Sequence, residues 1–172
     1  CNEILKRLTL NPVEEDEFID KDLSMKDYLS EIISSFREIS QKKFIFNHDQ
    51  FSNLKKITKS IEIVYGLRNF IGNANKFSKE AIYINLKSDS EITEITIEDD
   101  GNGYPKDVLS KIGEPYLRTK DPIEKSKTGL GLGLFIGKTL LEKNFASIDC
   151  RNSKTRSGAE VVIKWNNKDL FN

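Results

Sequence analysis

Strand-type and helix-type periodicities interleave along this chain without the regular strand–helix–strand alternation of a parallel sheet, which leaves few architectures open. Strands are predicted near 43–47, 81–87, 92–99, 146–151 and 159–165. Helices are predicted near 25–39, with Ser24 as N-cap, and near 58–77, 106–111 and 132–144. Two adjoining strands between two long helices, then two more strands at the end, point to a two-layer α/β sandwich. A mixed sheet of about five strands would be covered on one face by about three helices. At 172 residues the chain is long enough to bury a core of that kind.

Charge narrows the function classes. Lys plus Arg and Asp plus Glu both total 27, so no net charge argues for nucleic acid or anionic lipid. No run approaches the about eighteen apolar residues that a membrane span needs, and no signal peptide is visible. Cys1 and Cys150 make no metal or disulfide framework, so a reducing, cytoplasmic setting is expected. Cys150 reads as a small core residue and His48 as a loop residue. The start at Cys1 rather than Met suggests a piece of a longer protein. Residues 1–10 space apolar residues like a helix that Asn11-Pro12 stops. Residues 11–22, with Glu14-Glu15-Asp16-Glu17, read as an acidic linker, and the globular domain as 23–172.

Three stretches could carry chemistry. On the long helix, Ile63, Leu67, Phe70 and Ala74 share the face expected to meet the sheet. Asn69, Asn73 and Lys76 fall within about 60° of one another on the opposite face. That stripe is either a solvated polar face or a set of neutral amide oxygens for a hard cation beside a lysine for phosphate. After the third predicted strand comes Asp99-Asp100-Gly101-Asn102-Gly103, where alternation puts Asp99 on the apolar side with Ile95 and Ile97. This is either a turn or a core-side carboxylate that needs a donor. In Thr128-Gly129-Leu130-Gly131-Leu132-Gly133, three glycines at the mouth of a helix either form a hinge or bare backbone N–H groups to phosphate.

Together these stretches resemble the N, G1 and G2 boxes of sensor histidine kinases: Asn-x-x-x-Asn-Ala-x-Lys-Phe, Asp-x-Gly-x-Gly and Gly-x-Gly-x-Gly, in that order. Gly113-Glu114-Pro115-Tyr116-Leu117-Arg118-Thr119-Lys120 looks like the F box. The resemblance covers roughly 60–165 and is similar to the redox-responsive RegB/PrrB subgroup through Ile63-Val64-Tyr65-Gly66-Leu67, Gly137-Lys138-Thr139-Leu140-Leu141-Glu142 and Cys1-Asn2-Glu3-Ile4-Leu5.

The resemblance implies a Bergerat-type ATP-binding fold with a mobile lid, ATP and Mg²⁺ as cofactors, and protein-histidine kinase activity. It makes Asn73 the Mg²⁺ ligand with help from Asn69, these two forming the catalytic pair, and brings Lys76 to phosphate. It makes Asp99 the acceptor for the adenine amine, with Gly101 and Gly103 letting the backbone pass the base. Arg118, Thr119 and Lys120 fall in the lid, Arg118 favoured at the γ-phosphate. Gly129, Leu130, Gly131, Leu132 and Gly133 wrap the phosphates. Residues 1–10 become the end of a dimerisation helix whose upstream partner carries the acceptor histidine, so this chain should bind ATP without phosphorylating itself. A cognate response regulator, a homodimeric full-length protein (this piece able to be monomeric) and an inner-membrane anchor on the parent are implied too. Two departures stand out: Ala159 where the family often has Thr, and Phe77 for the common Tyr. A gyrase- or Hsp90-like ATPase would want a Glu where Asn69 stands. A non-catalytic nucleotide-binding scaffold is the third reading.

Overall fold

The computed structural model describes residues 23–49, 57, 60–112 and 131–170. Residues 1–22, read above as helix end and linker, lie outside them, as do Arg118, Thr119, Lys120, Gly129 and Leu130.

Helix α1 (Met25–Ile39) starts where Ser24 Oγ accepts the Asp27 N–H at 3.2 Å. It buries Met25, Tyr28, Leu29, Ile32 and Ile33, one stripe at helical spacing. Strand β1 (Lys43–His48) follows, then helix α2 (Ile61–Phe77), capped by Ser60 and burying Ile63, Leu67, Phe70, Ile71 and Ala74. Strands β2 (Ala81–Ser88) and β3 (Ile92–Asp99) form a hairpin whose turn is tied by Asp89 Oδ1, which accepts the N–H groups of Glu91 and Ile92 at 2.7 Å each. Short helix α3 (Lys106–Ile112), helix α4 (Gly131–Lys143), strands β4 (Ser147–Asn152) and β5 (Ala159–Asn166) and the single turn α5 (Asn167–Leu170) complete the described chain.

The sheet order is β1-β2-β3-β5-β4. Only β1 and β2 are parallel, with α2 as their crossover, and the other three pairings are antiparallel. The expected two-layer sandwich with a five-stranded mixed sheet is what forms. Register aligns Ile84, Ile97, Val161 and Cys150, and beside them Leu86, Ile95, Ile163 and Ile148, on the face that α1, α2 and α4 cover. Fully buried aliphatic side chains of this kind contribute about 1.5–3 kcal/mol each. The other face is polar, cross-braced by Arg151 to Glu160 (2.7 Å) and Lys164 to Glu94 (3.7 Å).

Two expectations need correction. His48 is not in a loop: it ends β1, opposite Leu86 of β2, because a paired neighbour prolongs the strand. The Asp100–Gly103 stretch is not a hairpin turn either, since the chain passes from β3 to α3 and the antiparallel partner of β3 on that side is β5. Cys150 is half-buried against the core, and burial, then Asp149, pushes its thiol up to about 12, so it is protonated and unreactive. Among the described residues no helix is long and apolar enough to cross a membrane.

Candidate nucleotide site

Helices α2 and α4 run antiparallel, and glycines set how near they come. A Cβ on Gly66 would lie 2.6 Å from Leu141 Cγ, and one on Gly137 would lie 2.9 Å from the Phe70 ring. The ends are tied by Ser60 Oγ donating to Asn144 Oδ1 (3.2 Å) and by Lys143 against Glu62 (3.1 Å). Continuing this register toward the C-terminus of α2 brings Asn73 against the first turn of α4, where a Cβ on Gly133 would be 3.1 Å from Asn73 Oδ1.

Asn73 therefore does not point away from the core, as the sequence suggested. It flanks the buried stripe and is half-buried under α4. Its Nδ2 is buried with no hydrogen-bond partner among the described residues, the only buried side-chain polar atom of which that is true. An orphaned buried amide costs about 1–3 kcal/mol, so Nδ2 is placed to take a partner beyond the described residues. Asn69, one turn earlier, donates its Nδ2 to the Tyr65 carbonyl at 2.8 Å, which holds the side chain still and leaves its oxygen available. Lys76 is exposed, with Nζ 5.4 Å from the centroid of the Phe77 ring.

Across from Asn73 the sheet contributes Asp99, opposite Ile82 on the inner face and only 4 % exposed. Its Oδ1 accepts the N–H groups of Gly101 (2.8 Å) and Ala159 (3.2 Å), and Oδ2 takes none from the described residues. Burial pushes this carboxyl above its ordinary range, and the two N–H groups offset only part of that. Asn73, Asp99, Gly103, Tyr104 and Ala159 line one cavity, with Phe70 and Phe77 beside them. At about 20 Å³ it has room for one water, so any larger ligand must extend beyond it.

The glycines after Asp99 have reasons inside the protein. A Cβ on Gly101 would run into the Phe77 carbonyl. Gly103 adopts φ +79°, beside the Asn152 amide. Asp100, by contrast, is structural: its carboxylate accepts the N–H groups of Lys79 (2.7 Å), Glu80 (3.1 Å) and Ala81 (3.2 Å).

Of the sequence-predicted residues, Asn73, Asp99 and Gly103 share the cavity and Gly133 abuts Asn73. Gly101 bonds Asp99, and Gly131 and Leu132 open α4. Asn69 lies one turn back along α2, and Lys76 sits on its surface without joining the cavity lining. Sequence reasoning missed Tyr104 as a wall, and the Ala159 backbone N–H as a donor to Asp99.

Residues 58–169 match the family described as histidine kinase-, DNA gyrase B-, and HSP90-like ATPase. The chain is 35 % identical over 124 residues to sensor histidine kinase RegB of Cereibacter sphaeroides, covering 63 % of this chain and 27 % of that protein. It is 28 % identical over 128 residues to a putative NtrY-like sensor histidine kinase of Rickettsia bellii, covering 74 % of this chain and 20 % of that one. It thus spans about a quarter or less of the length of these relatives. In fold it is similar to the nucleotide-free catalytic domain of histidine kinase ThkA, with TM-score 0.65 at 20 % identity, covering 84 % of this chain and 94 % of that one. By its motifs, its sheet and the match over 58–169, this chain belongs to the histidine kinase-, DNA gyrase B- and HSP90-like ATPase family.

Proposed function

We propose that the chain is the ATP-binding catalytic domain of a sensor histidine kinase, holding Mg–ATP for transfer of the γ-phosphoryl group to a histidine on a dimerisation helix. The observation that carries this reading is the buried, unpartnered amide of Asn73 on the same cavity as the core-side carboxylate of Asp99. Among the described residues Asn73 Nδ2 has no partner and Asp99 Oδ2 accepts no hydrogen bond, and a nucleotide offers a partner to each. Its exocyclic amine donates to Asp99 Oδ2 in the recess between α2 and the sheet. Its phosphates extend past Asn73 to the first turn of α4, where Gly131, Leu132 and Gly133 present N–H groups at a helix start, with Gly129 and Leu130 just before. Lys76 meets phosphate from the surface of α2, and Arg118, Thr119 and Lys120 would close over it as a lid.

Asn73 and Asn69 fit a hard cation: both carry neutral amide oxygens that accept no hydrogen bond from the described residues, on successive turns of one helix. Held by these two amides, Mg²⁺ would neutralise phosphate charge. The side chains do the rest by positioning, which is most of what phosphoryl transfer needs. The bond from the γ-phosphorus to the ADP oxygen breaks as one to a histidine nitrogen forms. The upstream dimerisation helix, a response regulator, a homodimeric parent and membrane anchoring of that parent at its cytoplasmic face belong to the same proposal.

A hydrolytic ATPase would need a general base beside Asn73. The neighbouring turn offers Asn69, an amide tied to the Tyr65 carbonyl, which cannot take a proton from water. The test is calorimetric titration of Mg–ATP. The wild type should bind in the micromolar to sub-millimolar range, as typical KM values suggest. Asn73→Ala and Asp99→Asn should each weaken binding about tenfold or more. A wild type that takes up no ATP would end this reading, and steady phosphate release would favour the ATPase. Restoring the upstream helix should let labelled γ-phosphate reach a histidine.

A further inference from the structure

We infer that Asn152, outside the cavity, is the positioning residue that sets selectivity for an amine-bearing purine, by holding together the two walls that aim Asp99. This rests on the nucleotide reading above. Asn152 is exposed at the end of β4, yet both ends of its amide are committed to one distant residue. Its Oδ1 accepts the Tyr104 N–H at 2.6 Å, and its Nδ2 donates to the Tyr104 carbonyl at 3.2 Å. The same amide lies flat against the preceding residue, since a Cβ on Gly103 would fall 2.7 Å from Oδ1. That contact suits the left-handed φ of Gly103.

The stretch from Gly101 to Tyr104 thus has two fixed points. Gly101 N–H is bonded to Asp99 at one end, and Asn152 clasps Tyr104 at the other. Immediately after Asn152, Ser153 N–H donates to the Gly158 carbonyl at 2.7 Å and closes the β4–β5 turn. Gly158 packs on the Asp99 backbone so tightly that no side chain fits, and Ala159 supplies the second N–H to Asp99. Of the two donors that orient the Asp99 carboxylate, Gly101 thus lies in the stretch clasped by the Asn152 side chain, and Ala159 is paired with Asn152 through the β4–β5 backbone register. Releasing Asn152 frees Tyr104 and Gly103 from β4 and lets Oδ2 of Asp99 drift from the position where a base amine would meet it.

The test compares ATP with purine riboside triphosphate, which has a hydrogen in place of the exocyclic amine and keeps ring N1 as an acceptor, and so reports every contact except the one to Asp99. Calorimetry on the 172-residue chain with Mg²⁺ should show wild-type preference for ATP falling about three- to tenfold in Asn152→Ala, the worth of one misaligned hydrogen bond. Affinity for purine riboside triphosphate should stay as in the wild type. Asn152→Asp keeps the 2.6 Å acceptor but turns a carboxylate oxygen toward the Tyr104 carbonyl in place of the donor, so its preference should fall part of the way, a readout that stands even if the alanine variant folds poorly. An unchanged ATP preference in both variants, or equal weakening of both nucleotides, overturns the proposal while leaving the nucleotide reading intact. Failure of the wild type to bind either nucleotide overturns both.

Discussion

Asp99 and Asp100 stand side by side at the end of β3, and alternation sends their carboxylates to different partners. Asp100 gathers three backbone N–H groups, and these hold its carboxyl below the ordinary range against the opposing effect of desolvation. Asp99 has two N–H groups on one oxygen, and burial dominates, raising its carboxyl. The sign for stability follows. With a folded value above the ordinary 3.8, the folded chain holds a proton that the unfolded chain has released. The stability so contributed is complete below the ordinary value and is lost as pH rises through the raised one. Asp99→Asn keeps an acceptor for Gly101 and Ala159 but carries no charge to bury. The variant should therefore melt above the wild type at pH 7, by about 2–4 °C, as 1 kcal/mol does in a domain of this size. The gap should shrink toward pH 4, even though nucleotide binding is weaker at pH 7. A pH-independent gap in thermal unfolding curves would mean that Asp99 is not the group responsible.

Helix α4 ends in a hydrogen-bond pattern that normally favours glycine: Ala146 N–H donates to the Leu141 carbonyl at 3.0 Å and Phe145 N–H to that of Glu142 at 3.1 Å. The residue in the left-handed position is Phe145, at φ +71° and 69 % exposed. A non-glycine residue there costs about 1–2 kcal/mol, and this ring recovers little by burial. Phe145→Gly should raise the melting temperature by about 2–4 °C, and a lower temperature would show that the ring packs usefully after all. Helix α2 shows what a sequence can and cannot disclose. The apolar stripe Ile63, Leu67, Phe70 and Ala74 and the core-side placement of Asp99 were readable, because both follow from periodicity within one element. The half-burial of Asn73 was not, because it depends on which flank of α2 receives α4, and that is set by the contact between Gly66 and Gly137 seventy-odd residues apart in the chain. The insertion of β5 between β3 and β4, and the clasp of Asn152 on Tyr104, are tertiary in the same sense and leave no local pattern.

The whole molecule is lopsided. One sheet face is sealed by three helices, and the other is polar and cross-braced. Asn73 Nδ2, the buried side-chain polar atom without a partner among the described residues, shares its cavity with Asp99 at the end of β3 and Ala159 at the start of β5. Such a chain leaves part of its stability to a ligand. Because the unfolded chain has no site, nucleotide at a hundred times its Kd should stabilise the fold by about 2.7 kcal/mol. In a domain of this size that is a rise of about 5–10 °C in melting temperature. If the amide oxygens of Asn73 and Asn69 carry the cation, chelating Mg²⁺ with EDTA should remove most of that rise at the same ATP concentration. The phosphates would then face the half-buried amide and the first turn of α4 with their charge uncompensated. The Asn73→Ala variant, which has lost the half-buried amide, should show a small rise that EDTA barely changes. Equal shifts for the wild type with and without EDTA would rule out the metal role of Asn73 while leaving the carboxylate of Asp99 as the base-reading group.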